Sequence, residues 1–216
     1  MVKRDCVFLS MIWDQKIARQ VAKLLLQINA IQLNLKKPFV WTSGIKSPIY
    51  CNNRLILSYP HIRHQVTLWL AEAIQKKYQN QSFHIAGVAT GAIGMATLVA
   101  HRLNKPYFNL QAEKTFQSKT NTKTHLVVIE DLVSTGKSSL GAIKGIDSVS
   151  YSVNDMYCLF TYGFEIMVRK FQEQNIKLHS LCDYEHLIAY AQEINKINQS
   201  ELNKLAAWRK NPTTWC

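Results

Sequence analysis

The feature that most constrains this chain is a set of short apolar runs, His84–Val88, Tyr107–Leu110, Leu126–Ile129 and Met156–Phe160, interleaved with stretches of helical period. Runs this short are strands rather than helices, and runs apolar on both sides suit strands with both faces covered. Strands alternating with helices predict an α/β fold, a twisted parallel sheet flanked by helices. Between the second and third runs, Gln111 to Thr124 is polar, rich in Thr and Lys and without period, and reads as a loop. Upstream, Ile17, Val21, Leu24, Leu25 and Ile28 recur at helical spacing between Asp14 and Ala30. Phe39 to Leu57 carries Ser43-Gly44, Ser47-Pro48 and Asn52-Asn53 among aromatic and β-branched residues, the texture of short strands and a turn. Pro60 then opens a second helix towards Tyr78, where its missing N–H is tolerated in the first turn.

One domain is the default for 216 residues, here preceded by an extension over residues 1–13. A hydrophobic fraction of 47% is ample for a core. No apolar stretch approaches the roughly 20 residues that span a bilayer, so no membrane partner is expected. The apolar patch after Lys3 and Arg4 reaches Asp14 without a small-residue cleavage site, a poor signal peptide. Lys and Arg number 26 against 14 Asp and Glu, a net charge of +12. They are spread along the chain, with only Lys36-Lys37, Lys76-Lys77 and Arg209-Lys210 as near-clusters, and two of these suit helix ends, where cations are favoured anyway. An anionic small substrate is therefore expected and a nucleic-acid partner is not. Cys6, Cys51, Cys158, Cys182 and Cys216 form no CxxC pair, which fits a reducing cytoplasm. His61 and His64 share a helix without the carboxylates or cysteines that would make a metal site. The stripe Leu68-Trp69-Leu70 reads as core and subunit contact.

The most informative stretch is LVVIEDLVSTGKSS, Leu126 to Ser139. An apolar strand ends in two acids, Glu130 and Asp131, and after Leu132 and Val133 the run Ser134-Thr135-Gly136-Lys137-Ser138 opens a helix. Hydroxyls, a glycine and free backbone N–H groups at a helix start cradle a phosphate. The acids just upstream suit sugar hydroxyls. A phosphate pocket beside a diol-binding acid pair describes a phosphorylated ribose. Gly136-Lys137-Ser138 also mimics the end of a P-loop, but that motif's leading glycine falls at Asp131, whose charge and bulk would oppose the phosphates.

At these residues the chain resembles the type I phosphoribosyltransferases, through VVIEDLVSTGKSS, and among them the orotate phosphoribosyltransferase family. The second likeness rests on FVWTSGIKSPIYCNNRLILSYP (Phe39 to Pro60), IAGVATGAIG (Ile85 to Gly94), FTYGFE (Phe160 to Glu165), LCDYEHLI (Leu181 to Ile188) and the tail WRKNPTTW (Trp208 to Trp215), the last similar to the Gram-positive bacterial branch. The resemblance implies a phosphoribosyltransferase domain over 14–216, with a small hood mainly from 14–60 plus the chain end and a core of about 61–190. It implies that Glu130 and Asp131 hold the ribose hydroxyls of phosphoribosyl pyrophosphate. Leu132 and Val133 would also belong to the phosphoribosyl pyrophosphate site, and Ser134, Thr135, Gly136, Lys137 and Ser138 would wrap the 5′-phosphate, with Ser134 also near the orotate. Lys46 would reach both substrates from the hood, and Thr90-Gly91-Ala92-Ile93 would take the pyrophosphate. It further implies Mg²⁺ bound through the pyrophosphate substrate, a homodimer, and transfer of the phosphoribosyl group to orotate.

The chain departs from the family's pattern in one place. Where the family's mobile loop carries Arg, Lys and His-Gly, this sequence has Gln111, Thr115 and Gln117-Ser118, and its Ile-Glu-Gly is absent from a shorter loop. Lys114, Lys119 and Lys123 are the cations left there. A second reading stays open on that ground: a phosphoribosyl-binding homologue with little catalysis, acting as a sensor or partner subunit.

Overall fold

The computed structural model describes residues 11–41, 44–111, 114, 123–212 and 215. A short strand, β1 (Met11–Ile12), leads into α1 (Gln15–Gln27), whose first-turn amides at Lys16 and Ile17 donate to the Asp14 carboxylate at 2.7 and 2.9 Å. That cap fixes where the helix begins. Its apolar period buries Val21, Ala22, Leu25 and Leu26. Four short strands follow, β2 (Ile31–Leu33), β3 (Phe39–Val40), β4 (Lys46–Ser47) and β5 (Ile49–Cys51). They pair antiparallel as β2 with β5 and β3 with β4, apart from the main sheet. A 3-10 turn (Asn53–Ser58) then leads to α2 (Pro60–Tyr78), with Pro60 in its first turn as expected.

The rest of the chain alternates. β6 (Phe83–Val88), α3 (Ile93–Leu103) and β7 (Tyr107–Leu110) precede β8 (Thr124–Val133) and α4 (Lys137–Lys144). β9 (Tyr151–Ser152), β10 (Asp155–Thr161), α5 (Glu165–Glu173), β11 (Lys177–Asp183), α6 (Tyr184–Glu193) and α7 (Gln199–Lys210) complete it. The main sheet runs β1-β11-β10-β8-β6-β7, with β9 beside the start of β8, and every pairing in it is parallel. Helices cover both faces, α2 lying on α3 and β10 and α1 on α6 and β11.

The chain leaves β6 for β7 on one side and then returns to lay β8 on the other. A parallel α/β sheet opens a crevice at such a reversal, beyond the carboxyl ends of the two strands that flank it. Here those strands are β6 and β8.

Three differences from the expected elements matter. β8 runs through the acid pair to Val133, because its ladder with β10 continues past Cys158↔Glu130 to Phe160↔Leu132 and Thr161↔Val133. The acids therefore sit within a strand, not after it. β8 also begins at Thr124, the last residue of the expected loop. Finally β1, at the end of the presumed extension, pairs with β11 and forms the edge of the sheet.

Of the Leu68-Trp69-Leu70 stripe, Trp69 and Leu70 are buried and Leu68 half-buried. None of the described helices is long and apolar enough to cross a membrane.

Candidate functional site

Glu130 and Asp131 lie at the carboxyl end of β8. Glu130 is only 5% exposed. One of its oxygens accepts from the Ser139 hydroxyl at 3.0 Å and the other from the Asp131 amide at 3.1 Å. Burial first, and then the charge of the adjoining Asp131 carboxyl, push Glu130 well above the ordinary carboxylate range. Both Glu130 oxygens are thus already engaged as acceptors within the protein, while the Asp131 carboxyl faces the crevice turn at Gly91.

Asp131 is half-buried and is held from two other elements. Its carbonyl accepts from Asn53 Nδ2 at 2.6 Å. Its carboxyl lies over Gly91, where an added Cβ would fall 2.6 Å from Asp131 Cγ. The turn that follows β6 and the acids that end β8 are therefore in direct contact across the crevice. Within that turn the Ala89–Thr90 peptide is cis, and the Ala89 amide donates to the Leu110 carbonyl at 2.7 Å.

Beyond the acids, Val133 turns its side chain into the core, and its carbonyl accepts from Thr161 Oγ1 at 2.9 Å and the Tyr162 amide at 3.3 Å. Leu132 is paired with Phe160. The Val133 side chain thus belongs to the core rather than to the cradle, and Leu132 is half-buried. Ser134 and Thr135 are half-buried, while Lys137 and Ser138 are exposed at the helix start. Gly136 has φ +73°, a left-handed conformation that favours glycine, and a Cβ there would fall 2.8 Å from the Phe171 ring. No side chain caps α4, and none caps α3. The uncapped starts of α3 and α4, which follow β6 and β8, thus come on either side of the carboxyl pair, and an uncapped helix start suits an anion.

Lys46 lies on β4 and is exposed. Its carbonyl accepts from Trp208 Nε1 of α7 at 3.1 Å. Trp208 packs in turn against Trp41, Tyr162, Phe164 and Tyr184, with ring centroids 5.7–6.0 Å apart. Tyr162 directly follows β10 and bonds to Val133, so this aromatic cluster ties the β3–β4 ladder to the carboxyl edge of the main sheet.

Of the loop cations, Lys119 lies outside the described residues, as do Thr115, Gln117 and Ser118. The Lys114 carbonyl group abuts Gly145, just past the far end of α4. Lys123 precedes the first residue of β8. At about 3.3 Å per residue, that is roughly 23 Å of strand away from Glu130. Neither is placed at the crevice. Asn53, Gly91 as the seat of Asp131, and the Trp41–Trp208 cluster were not legible as site residues. Their partners are distant in sequence, and only the turn character of Asn52-Asn53 gave any signal.

The chain matches no protein-family model. It is 40% identical over 202 residues to the orotate phosphoribosyltransferase of Bacillus pumilus, covering 90% of this chain and 95% of that protein. The enzyme of the same name from Phocaeicola vulgatus is also 40% identical, over 201 residues, with 90% and 94% covered. Among solved structures, UMP synthase of Leishmania donovani superposes with a TM-score of 0.73 at 22% identity, over 89% of this chain and 42% of that one. Orotate phosphoribosyltransferase from Aeropyrum pernix superposes with a TM-score of 0.67 at 24% identity, over 81% and 99%. At these identities the structural likeness shows the fold alone.

Proposed function

The chain belongs to the orotate phosphoribosyltransferase family, and from that premise we propose that it transfers the phosphoribosyl group of phosphoribosyl pyrophosphate to orotate, yielding orotidine 5′-phosphate and pyrophosphate for pyrimidine biosynthesis. One observation supports this reading most: two uncapped helix starts flank a carboxyl pair made of buried Glu130 and half-buried Asp131. Phosphoribosyl pyrophosphate has that shape, a phosphate at one end, a diphosphate at the other and a diol between. In this reading Ser134, Thr135, Gly136, Lys137 and Ser138 enclose the 5′-phosphate, with Leu132 and Val133 fixing the backbone beneath. Glu130 and Asp131 take the ribose hydroxyls, and the turn Thr90–Ile93 takes the diphosphate. Lys46 and Ser134 face the orotate.

The reaction breaks the C1–O bond to the diphosphate, which leaves with the electron pair, and forms a bond from C1 to the orotate nitrogen, whose N–H proton is released to solvent. Positive charge builds on the sugar and negative charge on the leaving oxygens. Helix-start amides directed at those oxygens stabilise the second, and the Asp131 carboxylate stands on the side of the sugar. Among the described residues no group of three or more His, Cys, Asp and Glu side chains converges. Mg²⁺ is commonly held by one or two carboxylates together with substrate phosphates, and Asp131 beside the Gly91 turn fits that donor set. When bound with the diphosphate, the ion supplies charge neutralisation for the leaving group. Family likeness also supports a homodimer and a cytoplasmic location.

The sensor reading is not favoured, since the relatives that match nine-tenths of the chain carry the enzyme's name. The test is loss of orotate absorbance with purified protein. Consumption that needs both phosphoribosyl pyrophosphate and Mg²⁺ is expected. Calorimetric binding of phosphoribosyl pyrophosphate without turnover would overturn the reading in favour of the sensor.

A further inference from the structure

The 3-10 turn Asn53–Ser58 lies outside the main sheet, yet it touches both walls of the crevice. Asn53 is 2% exposed, and its Nδ2 donates to the Asp131 carbonyl at 2.6 Å. Its Oδ1 accepts from Cys51 Sγ at 3.1 Å. Pairing between β6 and β8 ends at Gly87↔Ile129, and the Asn53 amide takes hold of β8 just beyond that point. Further along the same turn, Leu57 packs on Gly94, where an added Cβ would fall 2.8 Å from Leu57 Cδ1. Arg63 Nη1 secures Leu57 by donating to its carbonyl at 2.6 Å. One short segment therefore bears on β8 at the acid pair and on the start of α3.

We propose that Asn53 is a positioning residue for the ribose-binding acid, setting the Asp131 backbone and hence the fit between the acid pair and the Gly91 turn, and that the Cys51 thiol orients its amide. The inference rests on the phosphoribosyl reading above, in which Asp131 meets the ribose. A buried amide needs both its donor and its acceptor satisfied, and here each partner belongs to a different element: the acceptor to β8, the donor to β5. Burial, reinforced by the Asp131 charge, pushes the Cys51 thiol well up, so it keeps the proton it donates. The arrangement makes Asp131 sensitive to where the β2–β5 ladder sits.

The experiment compares Asn53→Ala, isosteric Asn53→Asp, Cys51→Ala and Cys51→Ser in steady-state kinetics, with calorimetry of Mg²⁺–phosphoribosyl pyrophosphate and thermal melting alongside. Asn53→Ala is expected to raise KM and Kd for phosphoribosyl pyrophosphate about tenfold, the size of one lost buried hydrogen bond, with a smaller change in kcat. Asn53→Asp, which keeps the acceptor but loses the donor, is expected to do at least as much. Cys51→Ala should weaken binding less, and Cys51→Ser, whose hydroxyl still donates, should restore it. A purely structural role would lower the melting temperature and the active fraction and leave KM at the wild-type value; that result, or equal effects of Cys51→Ala and Cys51→Ser, overturns the proposal. If the Asn53 variants do not fold, the Cys51 pair decides. If the wild-type protein itself neither binds nor turns over phosphoribosyl pyrophosphate, the functional reading fails and this inference falls with it.

Discussion

A methyl group added at Gly91 would fall 2.6 Å from Asp131 Cγ, closer than side-chain carbons approach. Its backbone is not left-handed, so conformation alone would tolerate alanine there. Gly91→Ala is therefore expected to push Asp131 aside, costing about 1–3 kcal/mol of stability as an overpacked contact, and to weaken phosphoribosyl pyrophosphate binding in calorimetry by more than that strain implies. An unchanged Kd would show that Asp131 does not need its seat. The sequence already marked Gly91 as part of a compact turn and Asp131 as half of an acid pair. Their contact was hidden, because forty positions separate them and nothing in either local pattern refers to the other. Glu130 is the reverse case. Its role as half of an acid pair was legible, but its place within the strand and its burial against Ser139 depend on the ladder with β10 and on how α4 returns over β8.

At the scale of elements, apolar runs located the central strands well, and Tyr107–Leu110 and Pro60–Tyr78 agree with the observed bounds. Hydrophobicity failed where polar residues are buried with partners. β11 holds His179 and Ser180, the first bonded to Asp155 at 2.6 Å and the second to the Cys182 carbonyl at 2.5 Å, so a fully internal strand reads as mixed sequence. β8 outran its apolar run for the same reason, with Glu130 satisfied inside the ladder. The helix α7 gives the clearest prediction at this scale. Its Asn198–Glu201 capping box fixes the start, and Trp208 delivers its N–H to the Lys46 carbonyl. Trp208→Phe keeps a large ring in the cluster and removes that donor. Denaturant unfolding should show a loss of about 1 kcal/mol, while KM for orotate rises severalfold if β4 carries a substrate lysine. Trp208→Ala empties the cluster and should cost about 3–5 kcal/mol. A wild-type KM in a folded Trp208→Phe protein would sever α7 from the site.

The whole molecule carries an excess of cations, yet the amino-terminal end of the sheet, opposite the acid pair, is built around an anion. Asp155, at the start of β10, is buried and bonded to Lys77, to His179 at 2.6 Å and to Tyr78 at 2.7 Å. Burial alone would raise its pKa, but the hydrogen bonds from His179, Lys77 and Tyr78 outweigh it and hold the carboxyl well below the ordinary value of 3.8. The folded state thus binds this proton less readily than the unfolded state. Its contribution to stability is present in full above pH 3.8 and is lost as pH falls below that value. Asp155→Asn should cost about 3 kcal/mol near neutral pH, the lower end for breaking a buried pair, since Lys77 is partly exposed. It should also flatten the acid limb of the stability curve measured by denaturant titration below pH 4. An acid limb as steep as that of the wild type would assign acid unfolding to other carboxyls. The expected net charge of +12 predicted neither this cluster nor its end of the sheet, because a count of charges is blind to where the chain brings them.

The first and the last described elements are both stitched into this fold, β1 into the edge beside β11 and α7 into the strand that bears Lys46. This has a consequence for synthesis. A nascent chain that has emerged as far as α5 already owns β6, β8, the acid pair and both helix starts. It has an open sheet edge and a Lys46 strand without its tether. The partner strand for β1 is β11 and the tether for β4 comes from α7, both far downstream of the acid pair, so the site is finished late although most of its residues were made early. Long-range closure of this kind is slow relative to local contacts. A ribosome stalled before α7 would therefore hold a chain with its phosphate cradle in place and no fixed hand to offer the base.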